Sequence, residues 1–390
     1  MEASTVVGTL RSGPCGHRLL RAVEGRAGVW LVGGAVRDIM LGNAPRELDV
    51  AVEGDVADLA AALGEDVTAH ERFGTANVVC GACRYDLART RTETYPEPGA
   101  LPDVVPAGID EDLLRRDITV NAIAVSLPGG ALRAVAGALE DLEAGLLRVL
   151  HDASFRDDPT RLWRVARYAA RLGFSVEPHT RALAADARPG AVSGERLGAE
   201  LRLALREPDP FAVFELLQEL NPGVLPEAFI ARPAGARAAL ALLPPDGRAD
   251  LLALAACTAA MESDLLLRWL DHMAFTADER DLVAAASRWV TGAPLRAART
   301  PAQIARAARG APVEAVALAG GDNARRWIND LRDVRLEISG DDLLAAGVPE
   351  GPEIGRRLQT ALDLKLDGVI DGREAELAAA LAADVSDSGP

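Results

Sequence analysis

The chain has 390 residues and a formal net charge of −16, with 49% hydrophobic and 26% charged residues. That length asks for more than one domain, and the balance is that of a globular chain with ample core material, not of a disordered one. No apolar run is long enough to span a bilayer, and Met1-Glu-Ala-Ser-Thr5 lacks the basic start and apolar block of a secretory signal, so the expected location is cytoplasmic with no membrane contact.

The acidic total speaks against a surface-wide nucleic-acid interface but leaves room for a local basic channel. Of the 42 basic residues only Lys365 is a lysine, a bias that genome composition accounts for. Arginine nevertheless offers rigid, bidentate contacts to phosphate wherever it is used.

Residues 1–28 predict a helix and its lead-in. The apolar run Val29-Trp-Leu-Val32 predicts a buried strand. Gly33-Gly34 behind it lets the backbone approach a ligand closely, and the helix that follows offers free N–H groups to an anion. A second apolar run, Val50-Ala-Val52, starts just after Glu47 and Asp49. Residues i and i+2 of a strand point to one face. Two carboxylates on one face beside a phosphate-binding turn suit a divalent-metal phosphoryl-transfer site.

Residues 55–64 have helical spacing and a glycine stop. Strands are expected around Asn77–Cys80 and Arg84–Leu87, the second carrying Asp86, with a hairpin turn at Gly81-Ala82. The cysteines are Cys15, Cys80, Cys83 and Cys257. Cys80-Gly-Ala-Cys83 admits zinc or redox chemistry, but no second such pair or Cys/His partner is present. Both are therefore expected to flank the turn as ordinary strand residues. Residues 89–110, rich in polar residues with Pro and Gly, read as one long loop.

Arg115-Arg116-Asp117 can position a ribose or phosphate, or form a surface salt bridge at a helix start. From Ser154 the pattern turns helical. Phe155–Gly173 predicts a helix with Pro159 in its first turn and Gly173 as its stop. Arg161, Arg164, Arg167 and Arg171 then fall on one face. A solvated basic face is the usual meaning of such a stripe, but Asp157 and Asp158 beside it suggest something more specific. Residues 180–390 read as helical, with turns at Pro222, Pro244-Pro245, Gly292 and Gly310, a helix–turn–helix-like connection at 340–355, and fraying at 385–390. No HExxH, GxSxG, GxGxxG or GxxxxGK[ST] motif occurs, and His151-Asp152 lacks the further ligands of a metal phosphohydrolase.

The ordered set closely resembles the bacterial CCA-adding enzymes, tRNA nucleotidyltransferases of the class that includes bacterial poly(A) polymerases. The carriers are Gly33-Gly-Ala-Val-Arg-Asp38, Leu41-Gly42, Glu47-Leu-Asp49, Arg115-Arg-Asp-Ile-Thr-Val-Asn-Ala122, Asp157-Asp-Pro-Thr-Arg161 with Arg164, Arg167 and Ala170-Arg-Leu-Gly-Phe174, then Ser193-Gly-Glu-Arg196 and 340–355. The resemblance spans nearly the whole chain. It implies an α+β nucleotidyltransferase head with a small mixed sheet at 1–150, then an all-α neck at 151–215, body at 216–330 and tail at 331–390.

The resemblance also implies template-independent addition of CCA to the 3′ end of tRNA from CTP and ATP, with pyrophosphate leaving. Glu47 and Asp49 would hold Mg²⁺, with Asp86 a candidate third acid. Gly34 and Arg37 would hold the triphosphate, and Arg116 would meet the nucleotide near its sugar. Asp158 and Arg161 would read the amino donor and ring-nitrogen acceptor that cytosine and adenine share, and Arg164 and Arg167 would continue the contact. The stretch Arg91-Thr-Glu-Thr-Tyr95 with Pro98-Gly-Ala-Leu-Pro102 resembles the loop of enzymes that add the final A, so full CCA addition is the first expectation. An A-adding, CC-adding or poly(A)-adding relative is the alternative, and a catalytically impaired RNA-binding protein on the same scaffold is a second. The chain departs from the family pattern at Glu47 (Asp in the family), Asp157 (Glu) and Ala134-Val-Ala-Gly137 (Asp-Pro-aromatic-Gly).

Overall fold

The computed structural model describes residues 3–64, 66–70, 74–290 and 292–383; the fraying expected at 385–390 lies outside them. The chain divides into two compact units, one ending at Leu225 and the other beginning at Pro226.

The first unit is organised by a seven-stranded sheet. Its strands are β1 (Val29–Val32), β2 (Leu48–Val52), β3 (Asp66–His70), β4 (Thr75–Cys80), β5 (Cys83–Arg89), β8 (Ile123–Leu127) and β9 (Leu132–Ala134), in the order β3-β4-β5-β2-β1-β8-β9. Only β2 and β5 run parallel; the other neighbours are antiparallel, so the sheet is mixed. Strands β2, β1 and β8 are apolar almost throughout and are covered on both faces, as continuous apolar runs require. Strand β5 alternates: Cys83, Tyr85 and Leu87 are buried, and Arg84 and Asp86 face the other way. Helices α1 (Ala3–Ser12), α2 (Pro14–Ala22), α3 (Gly33–Met40) and α4 (Ala57–Leu63) pack around it, and Leu19, Leu31, Val36, Leu63 and Val78 are wholly buried.

Several local expectations change. The first 28 residues hold two helices, because Pro14 cannot continue α1 but is suited to the first turn of α2. Strand β3, Asp-Val-Thr-Ala-His, lies at the sheet edge and has too little apolar signal to stand out. The expected loop at 89–110 contains a two-stranded antiparallel ribbon, β6 (Arg91–Thr94) with β7 (Asp103–Pro106). Cys83 is not an ordinary strand residue: it is disulfide-bonded to Cys15 on α2, with Cα atoms 5.3 Å apart. That partner lies 68 residues away, so no local spacing could announce it. Cys80, opposite Cys83 across the hairpin, is a free thiol whose sulfur accepts from Arg18 Nη1 at 2.6 Å.

After α5 (Ile109–Leu114) and α6 (Ala138–Ala144), the two-residue strands β10 (Leu146–Leu147) and β11 (Ser175–Val176) bracket the arginine-bearing segment. That segment is two helices rather than one. Helix α7 (Ser154–Asp157) ends before Pro159, whose ring disfavours helical geometry in the residue ahead of it. Helix α8 (Arg161–Leu172) follows and stops at Gly173, at φ +69°. Helices α9 (Pro178–Ala185), α10 (Gly194–Leu205) and α11 (Pro210–Leu220) complete the unit.

The second unit is helical, from Ala236–Leu242 to Arg373–Ala382, with no strand among its described residues. One core gathers Leu252, Ile304, Val316 and Ile328; a smaller one gathers Ile338, Leu343, Ala361 and Ala380. The lone lysine, Lys365, pairs with the buried Glu376 at 2.6 Å, and Glu376 also accepts from the backbone N–H of Glu337 and Ile338. Among the described residues no helix is long and apolar enough to cross a membrane.

Candidate active site

A cavity of about 830 Å³ opens in the first unit, between the C-terminal side of β1, the start of β2 and helix α8. Nine arginines line it against eight carboxylates. A chain of net charge −16 thus keeps a cavity where arginines slightly outnumber carboxylates.

The glycine pair forms one wall. Gly33 sits at φ +65°, a conformation that L side chains rarely adopt, and a Cβ there would lie 2.9 Å from Arg116 Nη1 and 3.4 Å from Asp49 Oδ2. At Gly34 a Cβ would meet Arg37 Nη2 at 3.4 Å and Asp49 Oδ2 at 3.5 Å. The missing side chains are what allow a guanidinium and a carboxylate to crowd the start of α3.

Asp49 lies in β2, and Glu47 stands exposed in the bend just before it. The in-register pairing of β2 with β5 sets Asp86 beside Asp49. Burial first, then the charges of Glu47 and Asp86, push the Asp49 carboxyl up to about 6; Arg116 and the Ala35 N–H pull the other way. Partial burial and then Glu47 hold Asp86 above the usual range as well. Crowded hard oxygen donors that resist ionisation together form a set that a divalent cation would relieve. Among the described residues, however, no three His, Cys, Asp or Glu side chains stand together as a ligand group. Asp86 therefore does not complete a three-carboxylate cage, and an ion held by Glu47 and Asp49 would take its other ligands from substrate and water.

The Arg115-Arg116-Asp117 run lies at the end of α5, not at a helix start. Asp112, 1% exposed, accepts from Arg115 Nε at 2.9 Å and from Arg116 Nη2 at 2.9 Å. Burial raises its pKa, but the two guanidinium groups outweigh that and hold it below the ordinary value. Glu93 ties the β6 ribbon to the same cluster, accepting from Arg91, Arg115 and the Tyr95 hydroxyl. Asp117 is buried and accepts from Arg164 Nε at 2.8 Å and Asn121 Nδ2 at 3.1 Å. Burial opposes its charge, yet Arg164 and these hydrogen bonds hold it down at about 2.

The arginine stripe is not a solvated face. Arg161 and Arg167 are 4% and 6% exposed, and all four members line the cavity. Arg161 donates from Nη1 to Ser154 Oγ at 2.8 Å and from Nη2 to the Arg115 carbonyl at 2.9 Å, with its guanidinium carbon 5.9 Å from the Tyr95 ring centroid. Burial leads the causes that push Tyr95 itself up to about 12. Arg167 is spoken for by Glu200 and Glu207.

Asp158 makes no side-chain hydrogen bond to Arg161. Its Oδ1 accepts from the Thr160 N–H and hydroxyl, a local turn that fixes the carboxylate, and from Arg196 Nη2 at 2.9 Å. Among the described residues Oδ2 has no such partner and is left for a ligand. Arg37 also departs from expectation. It is 1% exposed, and its donors are spent on Asp38 and Asn121, so it braces the cavity wall instead of reaching freely into it.

Sequence reasoning thus brought Gly34, Arg37, Glu47, Asp49, Asp86, Arg116, Asp158, Arg161, Arg164 and Arg167 to one cavity, as the structure does. It missed Glu93, Tyr95 and Tyr168 on the cavity wall, and it assigned Arg196 no role. Arg196 had a signal in the Ser193-Gly-Glu-Arg196 motif, and Glu93 and Tyr95 lie in the stretch Arg91–Tyr95 that was read only for its loop resemblance; Tyr168 had none.

Residues 29–148 match the poly A polymerase head domain. An A-adding tRNA nucleotidyltransferase of Aquifex aeolicus is 41% identical over 201 residues, which is 49% of this chain and 24% of that protein. The chain spans between about a quarter and about half the length of the relatives that it matches at 38% identity or more. A CCA-adding enzyme of Lactobacillus johnsonii is 28% identical over 372 residues, covering 89% of this chain and 91% of that one. A solved CCA-adding enzyme, apo form II, superposes with a TM-score of 0.76 at 25% identity, covering 97% and 95% of the two chains.

Proposed function

We propose that the chain is a class II nucleotidyltransferase, as are the bacterial CCA-adding enzymes to which it is similar, and that it adds CCA to the 3′ end of tRNA from CTP and ATP. The observation that carries this reading is the shared cavity: Glu47 and Asp49 line it together with Asp158 and the arginines Arg161, Arg164 and Arg167. The RNA 3′-hydroxyl attacks the α-phosphate, and pyrophosphate leaves. Glu47 and Asp49 are the residues that would hold a divalent cation, Mg²⁺ in this proposal; when bound it neutralises phosphate charge and makes the hydroxyl easier to deprotonate.

The protein's own groups do the selecting. Gly34 opens the backbone to the triphosphate with Arg37 behind it, and Arg116 stands at the sugar. Asp158 Oδ2 accepts the amino group of cytosine or adenine, and Arg161 supplies the donor for the ring nitrogen. Uracil and guanine would oppose carbonyl to carboxylate and N–H to guanidinium, leaving buried polar groups unpaired at about 1–3 kcal/mol each. Arg164 and Arg167 flank the nucleotide. The division into head, neck, body and tail at 150, 215 and 330 belongs to the same proposal, as does a cytoplasmic location.

A second reading is A addition alone, favoured by A-adding relatives at 38–43% identity. Transcripts of tRNA ending at the discriminator base, at –C and at –CC, supplied with CTP and ATP singly and together, separate the readings. Extension of all three supports CCA addition, extension of the –CC transcript alone identifies A addition, and bound tRNA with no extension rejects both.

A further inference from the structure

Tyr168 lies between Arg164 and Arg171 on α8, four residues after the first and three before the second, so the three share a face. Its ring centroid is 5.1 Å from the guanidinium carbon of Arg37, 5.6 Å from that of Arg164 and 5.2 Å from that of Arg171. An aromatic face attracts each cation and lets three of them gather where they would otherwise repel.

The three are unequally satisfied. Arg37 spends Nε, Nη1 and Nη2 on Asp38 and Asn121. Arg164 binds Asp117 through Nε, which leaves its outer edge toward the cavity. Arg171 makes no hydrogen bond among the described residues. Its paired carboxylate, Glu207, is 3.7 Å away and is shared with Arg167 and Arg46. Burial and the nearby Arg37 depress the Arg171 guanidinium from its usual range, as befits a cation without a counter-charge of its own.

We propose that Arg171 and the outer edge of Arg164 bind the triphosphate chain of the incoming nucleotide, and that the Tyr168 ring is the positioning residue that sets their spacing. This rests on the reading that the cavity receives a nucleoside triphosphate. The chemistry favours it: a phosphate chain offers several charged acceptors, and two planar guanidinium groups held apart by a ring meet them with paired, charge-assisted donors. Arg37, its donors already used, becomes the strut behind the ring.

Inorganic triphosphate, titrated calorimetrically into the full chain at low ionic strength, needs neither tRNA nor turnover. Arg171→Gln and Tyr168→Leu should each weaken its binding about tenfold or more, while Arg171→Lys recovers part of the loss and Tyr168→Phe stays within about twofold of the parent. The first two substitutions should raise KM for CTP with kcat nearly unchanged, a split that general loss of folding would not give. Parent-like binding by Arg171→Gln or Tyr168→Leu would overturn the inference, and so would a Tyr168→Phe loss as large as that of Tyr168→Leu. A parent protein that binds no triphosphate would instead overturn the nucleotide reading of the cavity.

Discussion

Replacing Asp49 with Asn tests the metal half of the cavity without any substrate. In the folded, metal-free chain the Asp49 carboxyl is pushed from its ordinary 3.8 up to about 6. The folded state therefore binds that proton more tightly than the unfolded chain does. The resulting stabilisation is fully present below pH 3.8 and is lost as pH rises through about 6. At about pH 7.5 the ionised Asp49 should thus burden the metal-free fold by at most about 3 kcal/mol. Asn keeps the shape, and its carbonyl oxygen can still accept the Ala35 N–H, but it carries no charge. In chelator-treated protein, Asp49→Asn should melt higher than the parent at about pH 7.5, by about 2–4 °C for each kcal/mol relieved in a unit of this size. The gap should close as pH approaches 4. Added Mg²⁺ should raise the parent and leave the variant nearly unmoved. Calorimetric scans across this pH range read both effects. A variant less stable than the metal-free parent at about pH 7.5, or a gap indifferent to pH, would refute the reasoning.

Three further outcomes follow from the geometry. Gly33→Ala and Gly42→Ala both place a side chain at positive φ, and each should lose about 1–2 kcal/mol in urea melts; only Gly33→Ala, whose Cβ would crowd Arg116 and Asp49, should also lose nucleotide addition. Asp117→Ala removes the partner of Arg164 and of Asn121, and with the Arg164 side chain 37% exposed it should cost about 1–3 kcal/mol in the same melts; no measurable loss would mean that the pair is fully solvated. Arg161→Ala should let UTP compete with CTP in mixed-nucleotide assays, and unchanged selection would remove Arg161 from base reading.

Much of this site was legible because it is written in short, contiguous runs. Gly33-Gly34 is a local signal of backbone freedom and appears where the sequence places it; of the Glu47/Asp49 pair only Asp49 lies in the strand, Glu47 standing in the bend before it. The stripe from Arg161 to Arg171 was legible as a helix face, but its burial was not. What buries it comes from Asp117, Glu200 and Glu207, which are remote in sequence. The Arg37 role shifted for the same reason: its partner Asn121 lies 84 residues away. The Cys15–Cys83 bond and the β6–β7 ribbon also depend on distant pairing, and the ribbon carries Glu93, which links it to Arg115. Tyr168 could be read as one more apolar-face residue of α8; only the three guanidinium groups around it reveal a different role.

The central claim is that this cavity transfers cytidylate and adenylate onto tRNA. It is tested most directly by incubating the parent and Asp49→Ala with Mg²⁺, labelled nucleotides and a tRNA transcript ending at the discriminator base, then sequencing the 3′ ends. The account predicts C, C, A in order from the parent, exclusion of U and G, and no addition by Asp49→Ala although tRNA is still bound. Bound tRNA left unextended by the parent, or equal addition by both proteins, would contradict it.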